Sequence, residues 1–258
     1  MLRVGLAVSS YINVDDTAAR HQGQNGYCTP IGNERFAWFA STESKSRLNF
    51  LELLRAGHTD YVIDAAARAY RQHQKLPQAQ LRRFAEDRAF ADQAVWEAPL
   101  RTLGIATERH LRIATAGARV ASLLGHGVSP ELVILRDDAG QFNVAGFLKA
   151  LCWIHAERTI HTLLPFSDAN RAAQAAVRAH IWQFYQDLKE FKCTPSDEHK
   201  LSLATRFDDI FTQQTCFQTL NLALKRLHAN KTELLLVLER PEIPLHNNLS
   251  ARLTFVTM

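Results

Sequence analysis

Apolar positions along the chain change period several times, and each change predicts a different element. Residues 11–15 (YINVD) open as a strand, and 25–42 (NGYCTPIGNERFAWFAST) read as two more short strands split at Gly32-Asn33. From 44 to 55, Leu48, Leu51 and Leu54 recur at helical intervals, so three strands hand over to a helix. Between 57 and 127, alanine, arginine and glutamine dominate, broken at Pro77, Pro99, Gly104, Gly117 and Gly125, which predicts a helical insertion. Leu132 to Leu135 form a continuous apolar run, the pattern of a strand buried on both faces. A compact strand around Leu151 to Ile154 and a new helix follow. Asp168 can cap a long amphipathic helix whose buried side is Ala172, Ala176, Ile181, Phe184 and Leu188. Further helix is expected from Arg206 to Leu238. No solenoid repeat and no low-complexity tract appears.

Composition narrows the class without fixing it. With 258 residues and 47% hydrophobic positions, the chain is long enough for a packed core. A net charge of +4 permits contact with an acidic polymer without requiring it. The four cysteines are irregularly spaced, no signal peptide is visible and no apolar run approaches a membrane span. The expectation is a cytoplasmic protein with no membrane partner and no folded module before the first strand.

The strongest chemical signal is a recurrence. Two strands far apart in sequence each run into Asp-Asp: Asp15-Asp16 and Asp137-Asp138. Carboxylates gathered at strand ends repel unless a cation lies between them, and hard oxygen ligands suit Mg²⁺ or Mn²⁺. Aspartates at strand ends also serve as turn and cap residues, so the pairs by themselves leave both roles open.

The stretches VDDTAARHQGQNGYCTPIGN, FAWFASTESKSRLNFLELL, VILRDDAGQF, LCWIHAER and RPEIPLHNNLS resemble, in order, the catalytic core of bacterial insertion-sequence transposases of the insertion sequence sixty-six type. The likeness runs from about Tyr11 to Ser250. It implies an α/β chain with a ribonuclease H-like mixed sheet flanked by helices. The sheet and helices would occupy 11–56 and 129–165, with large helical insertions at 57–128 and 166–240 and a truncated end at 241–258. It further implies DDE-type chemistry, in which two metal ions serve DNA strand cleavage and transfer. Matching the family's motifs selects Asp15, followed by Asp16 and Thr17, as the first acid, and Asp137, ahead of Phe142, as the second. Asp16 and Asp138 are adjacent candidate metal ligands. His155, in a Cys-x-x-His just past the second acid, is a candidate active-site neighbour that orients a phosphate or a carboxylate. The implied cofactor is Mg²⁺ or Mn²⁺, and the implied partners are insertion-sequence ends and a full-length transposase or a second copy.

One departure bears on activity. Where the family carries its third acid after the Asn-rich turn, this chain has Ala251, and the resemblance leads to the expectation that the catalytic helix that would carry the acid is missing. The expectation is a truncated copy inactive alone, or alternatively a DNA- or partner-binding remnant that regulates a full-length transposase.

Other residues have plainer readings. Cys152 and His155, with His161 nearby, have zinc-like spacing but lack a second ligand pair. Arg68, Arg71, Arg82, Arg83 and Arg88 read as a solvated helix face that gains weight as phosphate contacts in a DNA-handling protein. Trp153, Trp182 and Tyr185 read as core. Ser41, Thr42 and Lys45 read as an N-cap or a phosphate contact.

Overall fold

In the computed structural model, the residues described are 1–21, 24–105 and 107–247. The expectations for Ala251 and for the catalytic helix beyond it lie outside this range.

The chain opens on a helix, α1 (Leu2–Val8), whose Leu2 and Leu6 are buried, and then enters β1 (Tyr11–Val14). β2 (Thr17–His21), β3 (Gln24–Asn33) and β4 (Phe36–Thr42) complete an antiparallel meander. β3 carries β4 along one edge, while β1 and β2 share the other. Their register against β3 is continuous. Val14 pairs with Ile31, and counting on past Asp15 and Asp16 reaches Thr17 opposite Cys28. β1 and β2 are therefore one strand interrupted at the two aspartates, which face Pro30 and Thr29. Pro30, which has no N–H to give to a ladder, stands opposite this interruption.

The split expected at Gly32-Asn33 falls instead at Glu34-Arg35, and Gly32 stays inside β3. A Cβ at Gly32 would lie 2.2 Å from the Phe36 carbonyl oxygen, so the close return of β4 demands glycine there. α2 (Arg47–Leu54) follows, capped by the Ser46 hydroxyl, which accepts from the Asn49 N–H. The cap is thus Ser46 rather than Ser41 or Thr42.

The region expected to be a purely helical insertion contains a small sheet of its own. β5 (Tyr61–Ile63) leads into α3 (Ala65–His73) and the short α4 (Gln78–Leu81). β6 (Arg88–Phe90) then pairs antiparallel with β5. α5 (Gln93–Thr102) and α6 (Glu108–Gly125) finish the region. Tyr61, Phe84, Trp96, Leu100 and Ala114 form its core. Arg71 is in that core too, and this corrects the solvated-face reading. It is fully buried, with its guanidinium carbon 4.1 Å from the Phe84 ring centroid and one N–H on the Ala114 carbonyl. Burial pushes its pKa down to about 9.

β7 (Val133–Arg136) lies next to β1 in the sheet, and the Val133 N–H donates to the Ser10 carbonyl, so the two strands start together. β8 (Leu148–Leu151) follows β7 in the strand order, and the sheet is mixed. The strand expected around Leu151 to Ile154 ends at its first residue, because Trp153 already begins α7 (Trp153–His161). α8 (Asp168–Cys193) is capped by Ser167, which accepts from the Asn170 N–H, so Asp168 is its first residue rather than its cap. Val177, Ile181, Phe184 and Leu188 form the buried side, while Ala172 and Ala176 face solvent. α9 (Asp197–Thr212), α10 (Gln218–Ala229) and α11 (Lys231–Leu234) complete the helical part.

The chain divides into two units. The first comprises Met1–Ile134 and Ala139–Leu148, and the second comprises Leu135–Asp138 and residues 149–247. In the first, Ile12, Val14, Ile31 and Ile134 of the sheet pack against Leu6, Phe50, Leu54 and Leu123 of its helices. In the second, Trp153, Phe184, Phe207, Phe211 and Leu224 form a helical core, and the Trp153 indole N–H donates to the Leu234 carbonyl at 3.0 Å. Trp153 and Tyr185 are core as expected, whereas Trp182 is half-buried. Among the described residues, no helix is long and apolar enough to cross a membrane.

Candidate active site

The interruption between β1 and β2 sets the geometry of the first aspartate pair. Asp15 Oδ1 accepts from the Asp16 N–H at 2.8 Å, which ties the first carboxylate to the local backbone. Asp16 is held from two sides: the Thr29 hydroxyl donates to Oδ1, and the Gln141 side-chain amide donates to Oδ2 at 2.8 Å. Both donors are neutral, so the hydrogen bonds orient the carboxylate without cancelling its charge. Cys28, paired with Thr17 beside this point, has its thiol pKa raised by burial and by Asp16.

Gln141 joins this pair to a cleft of the same unit. The cleft holds about 630 Å³, and its lining includes Lys45, Arg47, Tyr70, Arg109, Arg112 and Gln141. Arg47 is anchored within it, donating to the Gly140 carbonyl at 3.1 Å and to the Gln74 side chain at 3.2 Å. Arg112 lies 3.5 Å from Glu108, the cleft's acidic residue. Sequence reasoning had singled out Lys45 but not Arg47, Arg109 or Arg112. The last two lie on α6 beyond the arginines considered, and only the fold brings them to Lys45. Arg82, Arg83 and Arg88 line a separate cleft of about 350 Å³ beside Trp96 and Phe90.

The second aspartate pair follows β7 in the second unit and has a different environment. Asp138 accepts from Arg226 through Nε at 2.9 Å and through a terminal nitrogen at 2.5 Å. Arg136, almost fully buried, donates to the Asp137 carbonyl at 2.9 Å and to Glu233 at 2.6 Å, and Lys149 lies 3.7 Å from Glu233. Asp138 is therefore one member of a compensated charge cluster. Glu233 and Arg226 were not foreseen, since nothing in the helical periodicity of 206–238 separates them from surface charges.

His155 is on α7, half-buried, with its Nδ1 buried and without a hydrogen-bond partner among the described residues. Cys152 is buried just ahead of the same helix, and the cysteines form no disulfide among the described residues. Among those residues, three metal-type donors come within 4.8 Å of one another at His58, Asp60 and His126, a group that contains neither aspartate pair nor His155.

No protein-family profile matches the chain, and no solved structure matches it. The chain is 40% identical over 254 residues to the Uncharacterized protein y4jO of Sinorhizobium fredii, a match that spans 97% of this chain and 78% of that one. At that identity over nearly the whole chain, it belongs to the family of this Sinorhizobium fredii protein.

Proposed function

We propose that the chain is a DDE-type DNA transposase core with a ribonuclease H-like sheet, related to the insertion sequence sixty-six type. In this reading Asp15 and Asp137 are the acids that bind Mg²⁺ or Mn²⁺, and insertion-sequence ends are the DNA. The observation that carries the reading is an acidic pair next to a basic cleft. Asp15-Asp16 interrupts a sheet strand, and Gln141, which holds Asp16, also lines the cleft of Lys45, Arg47, Arg109 and Arg112. Phosphoryl transfer on a nucleic acid needs this combination, with hard ligands for the metal and cations for the flanking phosphates.

The order of elements lends support. The resemblance implies three strands, a helix, then a fourth strand ending in the second acid. β1 with β2, β3, β4, α2 and β7 follow that order, and β1 neighbours β7. With Ala251 at the third acid's position, the chain is proposed to bind metal and DNA and not to cleave.

The test is a Mn²⁺ titration of the purified chain, with nicking of supercoiled plasmid followed in parallel. Mn²⁺ binding is expected in the wild type and lost in Asp15→Asn and Asp137→Asn, with no nicking in any of them. Mn²⁺ binding indifferent to both substitutions would overturn the reading. Nicking abolished by Asp15→Asn would keep the chemistry and overturn the inactivity.

A further inference from the structure

Three segments of the first unit converge on a cluster unrelated to the aspartate pairs. α2 ends at Arg55, and the chain turns through Ala56 at φ 52° and Gly57 at φ 87°, delivering His58 with its N–H on the Arg55 carbonyl. Two residues on, just ahead of β5, is Asp60, whose own carbonyl accepts from Arg55 at 2.7 Å. The third segment is the end of α6. His126 caps that helix, and Gly127 at φ 87° closes it, with Gly127 and Val128 donating back to Leu124 and Leu123. Glycine is the residue for that left-handed position, and the paired return bonds fix where the His126 ring emerges.

The side chains meet closely. His126 Nε2 lies 2.9 Å from Asp60 Oδ1, and the His58 and His126 rings stack with centroids 3.6 Å apart and planes 12° from parallel. Ser122, one turn before His126 on α6, donates its hydroxyl to Asp60 Oδ1 at 3.1 Å. Burial would raise the Asp60 carboxyl's pKa, but the hydrogen bonds from His126 and Ser122 outweigh it and hold it below the usual carboxylate range.

We propose that His58, Asp60 and His126 form a binding site for a divalent transition metal of the Zn²⁺ class, separate from the Mg²⁺ or Mn²⁺ chemistry proposed for the aspartates. Two imidazoles and one carboxylate are the donor set such ions prefer, with a fourth position left to water or a ligand. Two ligand atoms about 2.0–2.1 Å from one tetrahedral ion lie about 3.3 Å apart. The present separation of His126 Nε2 from Asp60 Oδ1 is 2.9 Å, so the ion replaces their hydrogen bond with a small opening. Parallel rings do not aim two nitrogens at one point, and binding therefore fans the rings apart. His126, on the exposed side, is the ring with room to turn. Ser122 remains on Asp60 as the outer hydrogen bond that orients the carboxylate, the usual companion of a metal ligand. Arg3, held to the Ala56 carbonyl at 2.8 Å, is the neighbouring cation that opposes binding.

Zn²⁺ titration of the chelator-treated full chain by calorimetry, in excess Mg²⁺ to occupy hard-ligand sites, tests this. One equivalent of Zn²⁺ is expected to bind, with Co²⁺ in its place giving the visible absorption of a four-coordinate ion. His58→Gln and Asp60→Asn should each weaken Zn²⁺ at least tenfold, and Ser122→Ala by about tenfold, the range for an outer-shell partner. Arg3→Gln should tighten it. His58→Gln sits in a loop, and an unchanged metal-free melting temperature shows that it folds. Absence of zinc binding by the wild type, binding indifferent to His58→Gln, or binding lost in Cys152→Ser would each overturn the site. Because the aspartates are untouched, its failure leaves the Mn²⁺ result standing, and the converse also holds.

Discussion

The two Asp-Asp pairs are identical as dipeptides and opposite as environments. In the first unit, Asp16 is oriented by a threonine hydroxyl and a glutamine amide, both neutral. In the second, Asp138 is bound through two nitrogens of Arg226, while Arg136 and Glu233 neutralise each other close by. A carboxylate held by neutral donors remains a ligand in want of a cation, whereas one held by a guanidinium has found it. The contrast shows that the motif alone does not reveal which acids retain charge for chemistry.

The largest expected effect comes from unbalancing the compensated cluster. Glu233→Ala would remove the carboxylate 2.6 Å from the buried Arg136 and leave Asp138, 4.0 Å away. Breaking such a pair from one side costs about 3–5 kcal/mol, to be read from urea denaturation midpoints. If Glu233→Ala proves no worse than a surface substitution, the second cluster is not what distinguishes the two pairs.

Metal should separate the pairs next. Saturating Mg²⁺ or Mn²⁺ at a hundredfold over Kd is expected to stabilise the wild type by about 2.7 kcal/mol. Asp15→Asn keeps the oxygen that accepts from the Asp16 N–H but removes a charge, so its metal-free melting temperature should rise while the metal response shrinks. A lower metal-free melting temperature would mark Asp15 as a structural cap instead.

A smaller effect is expected of Thr29→Val, which keeps the shape and removes one donor from Asp16. The loss should be about 1.5 kcal/mol, the scale of a hydrogen bond to a charged group, and Mn²⁺ should recover part of it. The smallest belongs to Arg226→Ala. Its side chain is 64% exposed, and an exposed ion pair contributes about 0–1 kcal/mol, so thermal melts should barely move. The informative readout there is Mn²⁺ affinity, which should rise once Asp138 is uncovered.

Strong periodic signals carried the parts of the fold that were legible. β1, α2 and β7 fall close to where apolar runs put them, and Leu48, Leu51 and Leu54 do lie on α2. β2 was invisible because TAARH has neither alternation nor bulk, and its pairing comes from the return of β3 rather than from its own residues. β5 is three residues inside an alanine- and arginine-rich stretch, too short to have a period. LKALCWIH is an apolar run that cannot declare itself strand or helix, and the boundary fell at Cys152 rather than at Ile154. Arg71 was misread because charge patterning assumes exposure, whereas a guanidinium can stack on Phe84 and Trp96 inside a core. Of the candidate site, the aspartates and Lys45 were legible as residues. Their neutral or cationic partners, from Thr29 to Arg226, come from elsewhere in the chain and carry no local signal.

Pro30 has a consequence for how the first unit opens. Where it faces Asp15 the ladder lapses, so the hairpin of β2 with β3 is joined to β1 by a seam rather than by continuous pairing. Loosening on the β2 side need not spread into β1, whose four residues are all buried. The acid pair is thus expected to mark a border between backbone that exchanges its amide protons through small local openings and backbone that exchanges only when the whole unit unravels. A proton-exchange profile along the chain should show a step at this border, with the carboxylates anchored on the slow side and reachable from the fast one.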